Sequence, residues 1–231
     1  MSWVLTNDDG VAAPGLAALE EAAREFGDLI VVAPASEASG CSHRTTTDSA
    51  FCVRRLGERR LAVEGTPADC VRVAIHRFGS EIEGVLAGIN SGGNLGADVF
   101  HSGTVAAARE AALHGLRTFA ISHYRNRELT SDDWRRATRW TRDVLGKLIA
   151  RPSVAGRIWN VNLPCLAPGQ EAVETVECPL DLSPLPLVYV ECEGDQICYA
   201  GKYNQRARRA GADIDVCFGG QIAITELGLG C

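Results

Sequence analysis

The stretch WVLTNDDGVAAPGLAALEEAAREFGDLIVVAP, residues 3–34, sets the architecture of the chain. It opens with a short apolar run that ends in a polar turn, Asn-Asp-Asp-Gly at 7–10. Apolar residues then recur at helical spacing over 14–26, and the proline that opens this run is a good first residue for a helix. The β-branched run at 28–33 is stopped by Pro34 and is typical of a strand buried on both faces. A strand, a helix and a buried strand in this order predict a parallel β-α-β unit.

The alternation of strands and helices continues along the chain. The pattern predicts strands at 84–89, 117–122, 157–162 and 221–225, and helices at 66–76, 104–114 and 131–149, the last with Ser131 as its N-cap. Strands that alternate with helices of this length imply an α/β fold, with a parallel sheet covered on both faces. After Pro164, short runs such as 187–190 and 196–199 are separated by prolines and indicate a β-rich arm. We therefore treat 1–231 as one domain whose arm spans about 165–220.

Composition limits the partners of this chain. It has 231 residues, of which 46% are hydrophobic, so it can bury a sizeable core. The formal net charge is −6, whereas a protein that holds a nucleic-acid polymer by its phosphates is usually basic. No signal peptide and no apolar run of ~20 residues is present, so we expect no membrane partner. If the ligand is an anion, a small phosphate compound fits this charge better than a nucleic-acid polymer.

The cysteines indicate a cytoplasmic protein. There are nine of them, from Cys41 to Cys231, and no C-x-x-C pair occurs. An odd number at irregular spacing favours reduced thiols over a disulfide framework or a zinc site. Cys192 and Cys198 could meet across a hairpin, and the sequence leaves that pairing open.

Four polar segments follow the predicted strands and converge in space if the sheet is parallel. They lie at 7–10, 34–43, 89–94 and 102–104. In open α/β sheets, ligands bind outside the carboxyl ends of the strands. These segments therefore contain the candidate site.

The first candidate is a site for a hard cation. An Asp-Asp-Gly sequence alone is more often an ordinary turn, but two adjacent carboxylates repel each other and favour a compensating cation. Mg²⁺, Mn²⁺ and Ca²⁺ prefer oxygen ligands. Carboxylate, hydroxyl and amide oxygens of this kind are available at Asp8, Asp9, Ser39 and Asn90.

The second candidate is an anion site in the same place. Ser102-Gly103-Thr104 precedes an alanine-rich helix, where it is either an ordinary N-cap or a phosphate site built from backbone amides and hydroxyls. The glycine-rich segment 88–96 places Asn94 beside bends whose N–H groups can face an anion. A cation site and an anion site at one sheet edge suggest phosphate chemistry.

Several ordered motifs resemble one known family, the survival protein E (SurE) nucleotidases. The matching blocks are TNDDG at 6–10, APG at 13–15, VVAP at 31–34, SGCS at 39–42, GTPADCV at 65–71, GINSGGNLG at 88–96, SGTVAAA at 102–108 and NVNLP at 160–164. The resemblance runs over nearly the whole chain and is strongest in its first half.

This resemblance implies both a fold and an activity. The fold is a Rossmann-like three-layer core with a mostly parallel sheet and a C-terminal β-hairpin arm, exchanged between the subunits of a homodimer or homotetramer. The activity is hydrolysis of nucleoside 5′- or 3′-monophosphates to nucleoside and phosphate. One divalent cation per subunit, Mg²⁺ or Mn²⁺ (Ca²⁺ as an alternative in a crystal), is implied as cofactor.

The resemblance also assigns roles to residues. Its metal ligands fall on Asp8, Asp9, Ser39 and Asn90, and its phosphate-binding positions on Asn94, Ser102, Gly103 and Thr104. Asn7, Ser42 and His43 lie beside these positions and are assigned to the substrate. Our mechanistic hypothesis is that the cation activates a water, which Asp8 or Asp9 orients or deprotonates.

Departures from the family pattern leave the substrate open. The loop at 35–38 reads Ala-Ser-Glu-Ala, where relatives are richer in Arg, Asn and Asp, and His43 and Arg44 replace smaller polar residues. The chain also ends at Cys231, soon after the last predicted strand, where relatives often continue. A phosphatase of a specialised metabolite ester is therefore an alternative, and a binding module that senses a nucleotide without hydrolysing it is another. An oxidoreductase is disfavoured because no G-x-G-x-x-G follows the first strand.

Overall fold

The computed structural model describes residues 1–167, 169–170, 174–185 and 187–229. Cys231, the last of the nine cysteines, and five residues of the predicted arm (168, 171–173 and 186) lie outside the described residues. The described strands are β1 Ser2–Thr6, β2 Asp28–Pro34, β3 Val53–Gly57, β4 Arg60–Val63, β5 Ile82–Ser91, β6 Arg117–His123, β7 Arg157–Leu163, β8 Thr175–Glu177, β9 Tyr189–Cys192, β10 Gln196–Tyr199 and β11 Ile222–Gly228. The described helices are α1 Pro14–Ala23, α2 Pro67–Phe78, α3 Gly103–Leu113, α4 Ser131–Ile149 and α5 Asp213–Phe218.

Most strands join one nine-stranded sheet in the order β3-β4-β2-β1-β5-β6-β7-β11-β8. The block from β4 to β7 is parallel, whereas β3 is antiparallel to β4 and β11 is antiparallel to β7. Parallel neighbours end at the same edge of the sheet, so the loops after β1, β2, β5 and β6 open on one side of the molecule.

Helices cover both faces of this sheet. On one face, Leu16 and Leu19 of α1 and Leu145 of α4 pack against Leu5 in a common core. On the other face, side chains of α2 and α3 pack against β1 and β2 in a second core. The predicted Rossmann-like three-layer core is confirmed, and its short apolar strands are buried because both of their faces are covered.

The predicted N-cap of α4 was wrong by one residue. Thr130, not Ser131, has the extended backbone of an N-cap, and its hydroxyl accepts a hydrogen bond from the Asp133 amide. The Asp133 carboxylate accepts hydrogen bonds from the Thr130 amide (2.8 Å) and from two guanidinium groups, those of Arg127 and Arg136. Thr130 and Asp133 therefore form a capping box at the start of α4. Ser131 cannot take the place of Thr130 because it is already the first helical residue.

The C-terminal part of the chain contains the hairpin indicated by its sequence. Strands β9 and β10 pair antiparallel in a separate two-stranded sheet. Within the range predicted for the arm, β8 instead joins the main sheet beside β11, and α5 packs near β11. Cys192 lies opposite Gln196 and Cys198 opposite Val190, and both thiols are free. The two thiols are neighbours on the hairpin and unbonded in this structure.

Among the residues described, no helix is both long and apolar enough to span a membrane.

Candidate active site

A cavity of about 470 Å³ opens at the carboxyl edge of the sheet. It is lined by Asp8, Asp9, Glu37, Ser39, Gly40, Asn90, Ser91, Asn94, Asp98, His101, Ser102 and Arg125. These residues come from the last two positions of β5, from the loops after β1, β2, β5 and β6, and from the segment before α3. All four predicted metal ligands and two of the predicted phosphate-binding residues thus share one cavity.

Asp8 is the most buried carboxylate of this cavity, with only 5% of its surface exposed. Its Oδ1 accepts a hydrogen bond of 2.5 Å from the Thr104 hydroxyl. Burial, together with the neighbouring charge of Asp9, raises the pKa of Asp8 to about 6. The described residues provide no cationic side chain that pairs with it, so the ionised form is costly unless a cation binds.

Asp9 follows at the mouth of the cavity and is half-buried. Its Oδ2 accepts a hydrogen bond of 3.0 Å from the Ser91 amide, which ties the β1 loop to the end of β5. Burial raises the pKa of Asp9, and the negative charge of Glu37 acts in the same direction. Two adjacent carboxylates with raised pKa values are typical of a functional site.

The two remaining predicted ligands present neutral oxygens. The Asn90 amide nitrogen donates to the Gly92 carbonyl at 2.8 Å, which leaves its Oδ1 available to the cavity. The Ser39 hydroxyl donates to Glu37 Oε1 at 2.7 Å, and its oxygen keeps the capacity to accept. Glu37, which the sequence reasoning treated only as part of an altered loop, therefore belongs to the site.

These donors fit a hard divalent cation. The described residues contain no group of three or more His, Cys, Asp and Glu side chains arranged to hold a metal ion. The set formed by Asp8, Asp9, Ser39 and Asn90 instead combines two carboxylates with a hydroxyl and an amide oxygen. Oxygen donors of this kind suit Mg²⁺, Mn²⁺ or Ca²⁺ and do not suit a thiophilic metal.

The first turn of α3 lies directly against Asp8. A β-carbon at Gly103 would lie 3.0 Å from Asp8 Oδ2, so any larger residue here would crowd the carboxylate. The Ser102 hydroxyl caps the helix by accepting from the Val105 amide at 3.0 Å. The amides at the start of a helix have no acceptor within it and favour an anion. The serine thus acts as an N-cap while it also lines the cavity.

Side chains of β7 hold the glycine-rich loop after β5 in place. The Asn94 amide donates to Asn162 Oδ1 at 2.8 Å, and the Asn94 carbonyl accepts from the side-chain amides of Asn160 and Asn162. The Asn94 side chain donates to the Ser122 hydroxyl at 2.7 Å. The NVNLP block at 160–164 is therefore a support for the site, a role that its sequence alone does not indicate.

Three residues assigned to the substrate do not line the cavity. Asn7 is fully buried and exchanges hydrogen bonds with Gly10 inside its own turn. The Ser42 hydroxyl donates to the Phe100 carbonyl at 2.8 Å. His43 lies 2.7 Å from Glu110, a buried carboxylate of α3. Ser42 and His43 thus join the loop after β2 to distant segments, whereas Asn7 stabilises its own turn, and the contact of all three with a substrate stays a prediction.

Fold and cavity together define a doubly wound α/β protein whose candidate site lies beyond the carboxyl ends of its parallel strands. The chain belongs to the survival protein SurE family, whose family model matches residues 3–180. The resemblance noted in the sequence is thereby confirmed.

Known relatives extend the match over the full length of the chain. A provisionally named 5′-nucleotidase of Nostoc sp. (strain PCC 7120) is 48% identical over 98% of this chain and 99% of its own length. The 5′-nucleotidase SurE of Methylocella silvestris is 36% identical over 99% of this chain and 94% of its own length. The crystal structure of the SurE protein from Aquifex aeolicus superposes with a TM-score of 0.85 at 28% identity, covering 100% of this chain and 94% of that one.

Proposed function

We propose that this chain is a divalent-metal-dependent phosphomonoesterase that hydrolyses nucleoside 5′- or 3′-monophosphates to nucleoside and phosphate. One observation carries the proposal: the carboxylates Asp8 and Asp9 share a cavity with Ser102, the N-cap of α3, and Gly103 at the start of this helix lies against Asp8. A phosphate ester bound there would meet a cation held by the carboxylates and the positive end of a helix. Relatives named 5′-nucleotidase SurE support a nucleotide as the substrate.

The side chains of the site would have separate roles in cation binding and in proton transfer. Asp8 and Asp9 would hold the cation with Ser39 and Asn90, and the Thr104 hydroxyl would keep Asp8 oriented. When bound, a divalent cation supplies a Lewis acid that lowers the pKa of water and offsets charge on the phosphoryl group. A carboxylate oxygen of the Asp8–Asp9 pair not engaged with the cation would accept a proton from the attacking water.

The phosphoryl group would be held by the start of α3. The Gly103 amide has no acceptor within the helix and would donate to a phosphoryl oxygen as negative charge develops there, whereas the Thr104 amide faces Asp8. Ser102 and Asn94 complete the wall on this side of the cavity. Because Asn94 is fixed by β7, this wall is preorganised.

One observation favours a second candidate, a phosphatase of a small non-nucleotide ester. The residues that line the cavity include no Phe, Tyr or Trp. Nucleobases commonly stack on Phe, Tyr or Trp rings, and the imidazole of His101 is the only aromatic ring in the described lining. The same phosphoryl chemistry would then act on a different leaving group.

Phosphate release tests both candidates. The purified chain would be incubated with a panel of nucleoside 5′- and 3′-monophosphates and sugar phosphates, with Mn²⁺, with Mg²⁺ and with EDTA. We expect metal-dependent release that EDTA abolishes, with nucleotides as the best substrates. Release from sugar phosphates alone would favour the second candidate, and no release with the metal still bound would contradict both and favour a binding module.

We also propose that the β9–β10 hairpin is the centre of an arm that mediates assembly into a homodimer or homotetramer. Around it, apolar side chains are exposed, namely Leu182, Leu185, Leu187, Val188, Tyr189, Val190, Ile197 and Tyr199. Exposed apolar clusters of this kind mark protein–protein contacts.

A charge placed in this cluster should weaken the assembly. Ile197→Asp is expected to shift the molecular mass in light scattering toward that of the monomer, because a carboxylate would be buried at the contact. Val154→Asp serves as the control, since Val154 is also exposed but lies outside the hairpin. An unchanged mass for Ile197→Asp would contradict this role of the arm.

We propose a cytoplasmic location as well. All eight cysteines among the described residues are free thiols. Thiols persist in reducing compartments, whereas oxidising ones favour disulfides. Labelling of the thiols in intact cells, before and after reduction, would test this.

A further inference from the structure

Arg125 has a position in the cavity that no motif indicated. It lies two residues beyond the end of β6, His123, and lines the same cavity as Asp8 and Asp9. In the sheet, β6 and β2 lie on opposite sides of β1 and β5. Arg125 and the β2 loop that carries Ser39 therefore reach the cavity from its two opposite sides.

The guanidinium of Arg125 has no partner among the described residues. No hydrogen bond or salt bridge there engages it, although its positive charge acts on Asp9 at longer range and favours the ionised carboxylate. Arg206, by contrast, is engaged, because it donates to Asp98 at 2.9 Å. An exposed arginine held by no acid is available to a ligand.

The acidic side chains of the cavity outnumber its basic ones, so the positive charge of Arg125 matters for an anionic ligand. Four acidic side chains line it, those of Asp8, Asp9, Glu37 and Asp98, whereas Arg125 is its only lysine or arginine among the described lining residues. A divalent cation would offset the first two acids and Arg206 offsets Asp98. Glu37 would still repel a phosphate dianion, and Arg125, which lines the same cavity, can counter that repulsion.

We propose that Arg125 binds the phosphoryl oxygens of the substrate and so determines how tightly a phosphate ester is held. Guanidinium groups present a planar pair of donors that matches two phosphate oxygens. The proposal rests on the proposed phosphomonoesterase function, because it places the phosphoryl group between Arg125 and the start of α3. Inorganic phosphate, the product, would occupy the same contact.

The test compares Arg125→Gln and Arg125→Lys with Arg54→Gln, a control at an exposed position on β3. Three quantities would be measured with Mn²⁺: kcat/KM for the best substrate, the dissociation constant of inorganic phosphate, and that of Mn²⁺ itself. For Arg125→Gln we expect about a ten- to hundredfold loss in kcat/KM and a similar weakening of phosphate binding, the size of a lost charge-assisted hydrogen bond. Arg125→Lys should retain part of the kcat/KM and part of the phosphate affinity. Arg54→Gln should leave both quantities at their wild-type values.

The affinity for Mn²⁺ separates this role from a structural one. Removing a positive charge near Asp9 should leave Mn²⁺ binding unchanged or tighter, whereas a collapsed site would bind the metal more weakly. Phosphate binding by Arg125→Gln equal to that of the wild type would overturn the proposal, and so would a loss of Mn²⁺ affinity in that variant.

Phosphate binding also keeps this proposal distinct from the proposed function. If the wild-type protein releases phosphate from no ester, the proposed function fails, yet calorimetry of inorganic phosphate still tests Arg125. Wild-type protein that binds no phosphate with Mn²⁺ present would overturn the role of Arg125 directly.

Discussion

Asp8→Asn is expected to remove most phosphate release and, at the same time, to stabilise the metal-free protein at neutral pH. The loss of activity follows from the loss of a carboxylate ligand at the buried end of the cavity. Removing an outer-shell partner of a metal ligand already lowers metal affinity or activity by about ten- to a hundredfold. A direct ligand should cost more, and metal affinity should fall with it.

The gain in stability follows from the burial of Asp8. Its pKa is raised from 3.8 to about 6 in the folded, metal-free protein. For an acid whose pKa is higher in the folded than in the unfolded state, ionisation favours unfolding. The cost appears as pH rises above 3.8 and is complete above 6, where a shift of this size corresponds to about 3 kcal/mol. An asparagine carries no charge and avoids that cost.

Thermal unfolding in EDTA at pH 7 and at pH 4 would measure this effect. Asp8→Asn should raise the melting temperature at pH 7 and change it little at pH 4, where the wild-type carboxyl is protonated. Added Mn²⁺ should then stabilise the wild type and not the variant. Asp143→Asn, at an exposed position of α4, is the control. Full metal-dependent activity in Asp8→Asn would contradict the assignment of the site.

The ends of the central strands could be predicted because each buried strand appears in the sequence as a short apolar run. Runs such as 3–6 and 28–33 are buried on both faces, so their alternation with helices specifies a parallel sheet. A parallel sheet in turn brings the loops after β1, β2 and β5 to one edge. This is why Asp8 and Asn90, which lie far apart in the chain, could be assigned to one cavity.

Elements with mixed or polar sequences could not be recognised in this way. The strand β3, Val53–Gly57, carries two arginines and is largely exposed at the edge of the sheet. The strand β8, Thr175–Glu177, has only three residues and depends on pairing with β11. Their structure comes from their neighbours in space and not from a local pattern.

Contacts between side chains that lie far apart in the chain could not be predicted from the sequence either. His43 was assigned to the substrate because it follows Ser39, but it contacts Glu110, 67 residues away. Thr104 was assigned to phosphate, which stays a prediction, and the sequence did not reveal that its hydroxyl donates to Asp8 across 96 residues. Spacing along the chain identifies which loops meet, whereas the direction of each side chain depends on the packing between them.

Gly15→Ala is expected to destabilise the fold and to disturb the cation site together, although alanine is normally the better helix residue. Gly15 lies in α1, where this helix packs against β5. A β-carbon there would collide with the Ile89 carbonyl oxygen and would lie 3.1 Å from the Trp134 ring. The carbonyl belongs to a buried central strand and has no room to move. Overpacking of this kind costs about 1–3 kcal/mol or more.

Gly146→Ala provides a matched control, because Gly146 also lies in a helix, α4, but its β-carbon would meet only the edge of Phe26 at 3.8 Å. That change should stabilise the protein by about 0.5–1 kcal/mol. Denaturant unfolding of both variants should therefore give opposite signs. Ile89 directly precedes Asn90, so Gly15→Ala should also weaken Mn²⁺ binding in calorimetry, whereas Gly146→Ala should not. Equal Mn²⁺ affinity in both variants would show that the contact between α1 and β5 supports the sheet without positioning the Asn90 amide.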